Sequence, residues 1–390
     1  MRRREFLRVG FERSAWAGVG AAVAGRLAGN RVANARWAGN DLKRAVWRPE
    51  RLDEAATILK RAAADGLVAA AGLHVQLADD SFTRSFGAAR DADAMFLLGS
   101  ISKPIAMVAL LRLYDQGKFD LDDRASKFLP RFSGGKRDSV TIRHLLSHVS
   151  GLPDQLPEND ALRRSHAPLE AFVERAERID PAFEPGSKYS YSSMGILLAA
   201  RIAERISGIE IRRLIEDTVF APLEMRHSAQ GLGRFAMESM VASQTERAAP
   251  ESGGGDPAAK GWDWNSSYWR KLGAPWGGTH ASAPDVARLL SAMLSPPPDS
   301  LKPETARLMT RNHNASGLTP RGLGWAVHPG AGTGSCSTQT FGHTGSTGTL
   351  CWADRTSGAI CVVLTSLPAR ASTPHPRDEV STRVADAFYG

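Results

Sequence analysis

The stretch from residue 101 to residue 114 most limits the folds open to this chain, because apolar side chains occupy nearly every face of the helix that it predicts. They are Ile101, Ile105, Val108, Leu110, Leu111 and Leu113. A helix of this kind is buried almost all round rather than lying on a surface. The chain has 390 residues, of which 42% are apolar, so it can bury the sizeable core that such a helix needs.

Strand patterns lie near both ends of the chain, and helical patterns lie between them. The patterns at the two ends predict helices at 52–64 and 378–388 and strands at 68–78, 81–87, 324–327, 340–342, 348–353 and 359–365. We therefore expect an α/β domain built from residues 36–119 and 311–390, with a mostly helical domain inserted at 120–310. The active cleft is expected where the two meet.

Residues 250–261 are rich in Gly and Pro and predict a flexible loop. Four tryptophans follow within a short distance: Trp262, Trp264, Trp269 and Trp276. Packing that holds the loop in place is the preferred interpretation of this cluster, and an aromatic wall of a substrate site is the alternative.

The excess positive charge of the chain lies at its start. The formal charge is +8, and residues 1–35, with seven Arg and two Glu, account for +5 of it. The remaining charges are interspersed, so nucleic acid is not an expected partner. No run approaches about eighteen apolar residues, so no membrane-spanning helix is predicted.

The first 35 residues also resemble a twin-arginine export signal. Arg2, Arg3 and Arg4 precede Phe6 and Leu7, a weakly apolar stretch follows, and residues 33–35 offer a small-residue cleavage site. We expect a periplasmic or secreted protein that meets the export machinery. A disordered basic N-terminus is the alternative, because residues 12 and 13 are charged and interrupt the apolar part.

The motif Ser-x-x-Lys occurs twice, and its context separates the two copies. Ser133 and Lys136 enclose two glycines in a loop, where nothing fixes one side chain relative to the other. Ser100 and Lys103 instead stand at the start of the buried helix, where a spacing of three places both side chains on one face. The Lys103 amine can there accept the proton of the Ser100 hydroxyl and activate it as a nucleophile.

Two further segments carry chemistry. The segment 185–195 (PGSKYSYSSMG) is a turn that leads into a helix, where a phenol could shuttle protons. The segment 341–348 (FGHTGSTG) lies at a strand, where small residues let a substrate backbone approach the sheet edge.

Together, and in this order, these three motifs resemble the serine β-lactamase and penicillin-binding superfamily, in particular its class C-like branch. That branch includes class C β-lactamases, DD-peptidases and family VIII carboxylesterases. The linking segments GKFDLDD (117–123), HLLSHVSGL (144–152), PLEM (222–225) and GGTHASAPDVARLL (277–290) are also similar, so the resemblance covers residues 50–390. It implies a mixed α+β, β-lactamase/transpeptidase-like fold, with an antiparallel sheet flanked by helices.

The resemblance implies a role for each motif residue. Ser100 would be the acylated nucleophile, Lys103 its proton-transfer partner and Tyr191 the second base. The backbone N–H groups of Ser100 and Ser346 would form the oxyanion hole. The substrate would be bound by Ser193, His343, Thr344 and Gly345, and Tyr189 would have a packing role.

Two of these positions depart from the family's β-lactamases. Ser193 stands where those enzymes carry Asn, and a hydroxyl offers one proton where an amide offers two. His343 replaces the commoner Lys and removes a fixed positive charge near neutral pH, although DD-peptidase relatives also use His there. We therefore expect a serine hydrolase that acts on esters or small amides through an acyl-enzyme. The alternatives are a DD-peptidase or β-lactamase, and a non-catalytic penicillin-recognising protein.

Neither a cofactor nor a metal site is predicted. His144 and His148 have the spacing of two zinc ligands on a helix, but no Glu lies between them, so a structural role is preferred. If residues 354–358 form a hairpin loop, Cys351 and Cys361 lie directly opposite each other on neighbouring strands. A disulfide is then possible, although two small core residues are the preferred interpretation.

Overall fold

The main sheet of the protein is built from two strands near the start of the described chain and four near its end. A computed structural model describes residues 45–389; the predicted export signal at 1–35 lies outside them. The strands are β1 (Ala70–Leu77), β2 (Asp80–Gly87), β6 (Ala326–Val327), β7 (Thr340–Gly345), β8 (Thr349–Asp354) and β9 (Ile360–Thr365). Their order is β2-β1-β9-β8-β7-β6, and every pair is antiparallel.

A second, smaller sheet lies next to the functional motifs. It contains β3 (Phe96–Leu97), β4 (Ser228–Gln230) and β5 (Thr279–Ala281) in the order β3-β5-β4. The chain leaves β3 and enters a short 3-10 turn, Gly99–Ile101. The small sheet therefore fixes the approach to the first motif.

Eleven α-helices are present among residues 45–389. They are α1 (Pro49–Ala64), α2 (Ser102–Asp115), α3 (Ile142–Leu146), α4 (Asn159–Arg164), α5 (Leu169–Ala176), α6 (Ser193–Ser207), α7 (Ile211–Ile215), α8 (Ser267–Leu272), α9 (Ala283–Leu294), α10 (Pro303–Met309) and α11 (Pro376–Tyr389). In that part of the chain, no helix combines the length and the apolar character that crossing a membrane requires.

The predicted buried helix is confirmed as α2. Eleven of its 14 residues are buried, including Lys103 and Leu110. It packs against α6, the helix that begins just after the second motif. Because Pro104 lacks an N–H, its place in the first turn costs no hydrogen bond. The α2–α6 contact therefore brings two of the three motifs to one region of the core.

Both faces of the main sheet are covered. Along β9, Ile360, Val362 and Leu364 join the core cluster that contains α2, α6 and α9. The alternate residues Cys361 and Val363 join the second cluster, which contains α1 and α11. This alternation follows from the two-residue period of a strand, and burial on both faces explains why β9 is apolar at nearly every position.

Helix α9 lies in the segment that the sequence assigns to the inserted helical domain, but it packs against β1 and β9. Val286 and Leu290 on α9 are fully buried in the cluster that also contains Val362 of β9. Periodicity predicts the helix but not the surface that its apolar face covers.

The segment 250–261 is organised into two 3-10 turns, Pro250–Ser252 and Pro257–Gly261. The Asp256 carboxylate caps the second turn by accepting a hydrogen bond from the Ala258 amide at 2.8 Å. The same carboxylate pairs with Arg164 at 3.1 Å. These contacts tie the loop to α4.

The expected strand register, in which Cys351 lies directly opposite Cys361, is wrong by one residue. Cys351 lies opposite Val362, and Cys361 lies opposite Trp352. A shift of one residue turns a side chain to the other face of a sheet, so the two sulfurs lie in different core clusters. All three cysteines are free and buried, which confirms the interpretation as small core residues.

Candidate active site

The Gly99–Ile101 turn holds Ser100 at the start of α2, against the turn that joins β7 to β8. Gly99 has φ +55°, and a Cβ there would lie 3.2 Å from the Ser346 amide nitrogen. A Cβ on Gly345 would collide with the Leu98 carbonyl oxygen. The two glycines therefore allow the backbones at residues 100 and 346 to come close together, as an oxyanion hole built from both requires.

Two threonines fasten this contact. Thr347 donates to the Leu97 carbonyl at 2.6 Å, and Thr349 donates to the Leu98 carbonyl at 2.7 Å. Both hydroxyls are buried. They hold the first motif against the third.

Lys103 lies directly beside Ser100, as the helical spacing predicts. Its Nζ is 2.8 Å from the Ser100 hydroxyl oxygen and 3.1 Å from the Trp276 carbonyl oxygen. Only 1% of the residue is exposed, and among residues 45–389 no carboxylate forms an ion pair with it. The amine is thus positioned to exchange a proton with Ser100.

The second Ser-x-x-Lys copy has no such geometry. Ser133 donates to the Pro130 carbonyl at 2.9 Å, and Lys136 lies 4.0 Å from Glu184. Both residues are exposed. Of the two copies, the one at the start of the buried helix brings its serine and lysine into contact.

Tyr191 lies just before α6 and reaches the same pocket. Nζ of Lys103 is 4.7 Å from the centroid of the Tyr191 ring. The buried imidazole of His148 packs against the Tyr191 ring, with the two ring centroids 4.5 Å apart. Tyr189 also lines the pocket, and burial raises the pKa of its phenol.

His144 and His148 make separate hydrogen bonds. His144 accepts from the Thr141 amide in a capping box at the start of α3. His148 accepts from the Ser192 amide at 3.2 Å through Nδ1, and burial holds its pKa well below the usual range. His148 is therefore a neutral side chain that supports the segment carrying Tyr191. Among the described residues, no three His, Cys, Asp or Glu side chains cluster as metal ligands.

The third motif forms the β7 wall of the pocket. Thr344 and Ser346 are exposed on one side of the strand, and Gly345 between them is buried. His343 donates through Nδ1 to the Thr344 carbonyl at 2.7 Å and accepts through Nε2 from Arg321 at 3.1 Å. Burial, followed by the charge of Arg321, holds the pKa of His343 well below its usual range. His343 is therefore neutral.

Arg321 places a fixed positive charge beside His343, where the replacement of Lys by His predicts that none is present. It is 8% exposed, lines the pocket and has its guanidinium carbon 5.5 Å from the centroid of the Tyr191 ring. No motif points to this residue. Only the fold brings it to His343, which lies 22 positions further along the chain.

Ser193 is 2% exposed, and its hydroxyl is already engaged. It donates to Oδ1 of Asp154 at 2.5 Å, and the Ser193 amide donates to the same oxygen at 3.1 Å. Both residues line the pocket. No local sequence pattern joins Asp154 to the second motif, which lies 39 positions further along the chain.

The pocket has a volume of about 510 Å³. Trp264, Trp269 and Trp276 line it, and all four tryptophans of the cluster are buried. Trp262 packs instead against the guanidinium of Arg164, 4.9 Å from its ring centroid. Three tryptophans of the cluster therefore form an aromatic wall of the pocket, and Trp262 packs against α4.

Comparisons with known proteins agree with this geometry. Residues 18–385 match the family model described as Beta-lactamase. A protein of Salmonella enteritidis whose name contains the words D-alanyl-D-alanine carboxypeptidase is 28% identical over 329 residues, which are 76% of each chain.

Solved structures show the same fold. The hydrolase EstCE1, described as having promiscuous acyltransferase activity, has a TM-score of 0.67 at 22% identity and covers 87% of this chain and 99% of its own. A penicillin-binding protein homologue from Caulobacter crescentus has a TM-score of 0.68 at 20% identity with the same coverage. EstA from Arthrobacter nitroguajacolicus has a TM-score of 0.69 at 19% identity and covers 86% of this chain and 96% of its own. The β-lactamase/transpeptidase-like fold expected from the sequence is confirmed.

Proposed function

Since the chain belongs to the beta-lactamase family and is a serine hydrolase, we propose that it forms an acyl-enzyme on Ser100 and hydrolyses esters or small amides in preference to β-lactams. The observation that carries the first part is the 2.8 Å contact between Lys103 and Ser100. The second part is supported by Ser193, whose hydroxyl proton is already donated to Asp154.

In the proposed reaction, Lys103 takes the Ser100 proton while the oxygen attacks the substrate carbonyl carbon. The developing oxyanion is held by the backbone N–H groups of Ser100 and Ser346. Tyr191 then passes a proton to the leaving group. A water molecule attacks the acyl-enzyme by the reverse sequence of proton transfers and restores the Ser100 hydroxyl.

An ester suits this pocket better than a β-lactam for a chemical reason. An alkoxide or phenolate leaves more readily than an amide nitrogen, so the reaction needs less help from side-chain donors. A β-lactam also benefits from a donor to its side-chain amide, and the Ser193 hydroxyl is not available for that contact.

We expect short-chain aryl esters to exceed a chromogenic cephalosporin in kcat/KM by at least about tenfold, or roughly 1.4 kcal/mol of transition-state binding. Ser193→Asn should narrow this ratio, because an Asn amide has one N–H for Asp154 and a second for the substrate. Initial rates with both substrates measure it. A wild-type enzyme that hydrolyses the cephalosporin faster than every ester tested would reverse the proposed preference for esters over β-lactams.

A DD-carboxypeptidase is the second candidate, and Arg321 favours it. A guanidinium beside neutral His343 could hold the terminal carboxylate of a peptide. The D-alanyl-D-alanine carboxypeptidase name of the Salmonella relative points the same way. Release of D-alanine from a D-alanyl-D-alanine peptide at a kcat/KM above that of the esters would make this the principal activity.

We propose in addition that the protein acts outside the cytoplasm. The consecutive arginines at positions 2–4 and the small-residue site at 33–35 support an export address. Fractionation of cells that express the full chain should recover the esterase activity in the periplasm or medium. Activity confined to the cytoplasm would contradict the proposal.

A further inference from the structure

The turn between β7 and β8 carries the Ser346 amide, and hydrogen bonds hold the backbone on both sides of that amide. The Gly345 carbonyl, which belongs to the same peptide group as the Ser346 N–H, accepts from the Gly348 amide at 3.1 Å. The Ser346 carbonyl accepts from the Ala369 amide at 2.9 Å. The peptide group proposed to bind the oxyanion is therefore fastened within the turn and to the segment after β9.

A further donor to this turn comes from the last helix. Arg377 lies in the first turn of α11, is 8% exposed and lines the pocket. Its Nη1 donates to the Gly345 carbonyl at 2.6 Å and to the Thr349 carbonyl at 3.0 Å. Gly345 and Thr349 lie opposite each other where the two strands meet the turn. One buried guanidinium group thus holds both ends of the turn.

The contact with the Gly345 carbonyl bears on the Ser346 N–H because the two belong to one planar peptide group. In a trans peptide the C=O and the N–H point in opposite directions, so fixing the carbonyl oxygen also fixes the direction of the N–H. Glycine at position 345 leaves the backbone freer to rotate than another residue would. A rotated peptide would present its carbonyl oxygen to the developing oxyanion, and the two oxygens would repel each other.

The charge of Arg377 has a second effect on the same peptide. A hydrogen bond from an ionised donor is stronger than one between neutral groups, and successive hydrogen bonds polarise one another. The guanidinium draws electron density toward the Gly345 oxygen, so the Ser346 N–H becomes a stronger donor to an anion. The Asp378 carboxylate, 3.3 Å from Nε of Arg377, is exposed, so solvent screens its opposing charge.

We propose that Arg377 is a positioning residue for the oxyanion hole, which acts through the peptide group between Gly345 and Ser346. This inference rests on the proposed acyl-enzyme chemistry at Ser100. It adds a residue that lies outside all three sequence motifs, 32 positions beyond Gly345. The competing role for Arg377 is a direct ionic contact with a substrate anion, since its side chain lines the pocket.

The test compares two uncharged substrates that differ in the atom held by the oxyanion hole. They are 4-nitrophenyl butyrate and its thionoester, in which sulfur replaces the carbonyl oxygen. Sulfur is the weaker hydrogen-bond acceptor, so a weakened oxyanion hole slows the ester more than the thionoester. Because neither substrate has a net charge, a direct ionic contact with Arg377 would not contribute to the result.

Arg377→Met removes the charge and both hydrogen bonds to the turn. We expect kcat and kcat/KM for the ester to fall together by at least about tenfold, with KM nearly unchanged, because the oxyanion forms in the transition state. The thionoester should lose about twofold or less, so the ratio of the two kcat/KM values should fall about fivefold. Thermal melting measures the stability of the variant separately.

Arg377→Gln is the second variant, because its amide can still donate to the turn and so disturbs the fold less than methionine does. It lacks the charge, and the ratio should fall about twofold. Arg370→Met is the matched control. It removes an exposed guanidinium that also lines the pocket, and among residues 45–389 the Arg370 side chain donates no hydrogen bond to the turn. It should keep the wild-type ratio.

The results separate this inference from the proposed function. Ester hydrolysis that Ser100→Ala abolishes supports the acyl-enzyme chemistry whatever the Arg377 variants do. With that established, an unchanged ratio in a folded Arg377 variant would overturn the positioning role alone, and so would an equal fall of the ratio in Arg370→Met. Ester hydrolysis that persists in Ser100→Ala would overturn both.

Discussion

Ser100→Ala is expected to lower kcat/KM for aryl esters by at least about 10³-fold and to abolish covalent labelling by a fluorophosphonate. The hydroxyl oxygen is the atom that becomes acylated, and no other group at this position can replace it. Intact-protein mass spectrometry would show the added mass on the wild type and not on the variant. Labelling that persists in Ser100→Ala would refute the assignment of the nucleophile.

Ser133→Ala is the matched control for this experiment, because it removes the serine of the other Ser-x-x-Lys copy. Ser133 donates to the Pro130 carbonyl and makes no contact with Lys136. We expect wild-type turnover and full labelling. Loss of labelling in the Ser133→Ala variant would mean that the position of a Ser-x-x-Lys motif at the start of a helix does not identify the copy that carries the nucleophile.

The contact between Ser100 and Lys103 could be predicted from the sequence because it is local. Three residues along a helix bring two side chains to one face, whatever the rest of the chain does. The buried character of α2 is likewise visible in its own sequence, and it explains why a lysine there is withdrawn from solvent. The positions of Tyr191 and His343 in the same pocket are implied by the family resemblance and not by spacing.

Arg321 and Asp154 could not be predicted, because their contacts join distant parts of the chain. Asp154 meets Ser193 across 39 positions, and Arg321 comes from an irregular segment between α10 and β6. Neither belongs to a periodic pattern. Both residues line the pocket, so the sequence motifs predict the catalytic side chains and leave out other side chains that shape the pocket.

The register of β8 and β9 shows a different limit of prediction from the sequence. The alternating pattern predicts both strands, but the loop between them decides which residues lie opposite. One residue more or less in that loop moves Cys361 from one core cluster to the other. Pairings between strands are therefore less predictable than the strands themselves.

Lys103→Met is expected to reduce kcat by about 10³-fold or more, with a much smaller change in KM. Methionine has a similar length and fills the buried site, but it cannot take the Ser100 proton. The Trp276 carbonyl also loses its donor, which should cost about 1–3 kcal/mol of stability. Thermal melting measures that loss separately from the kinetics, and the rate of fluorophosphonate labelling should fall together with kcat.

Lys103→Arg distinguishes proton transfer from a purely electrostatic role of Lys103. A guanidinium carries a positive charge beside Ser100 and Tyr191 and holds its protons at every accessible pH, so it cannot act as a base. We therefore expect this variant to be as inactive as Lys103→Met, with fluorophosphonate labelling equally slow. If Lys103→Arg instead kept most of the wild-type kcat, the charge alone would be sufficient and the proton would have to leave Ser100 by way of Tyr191.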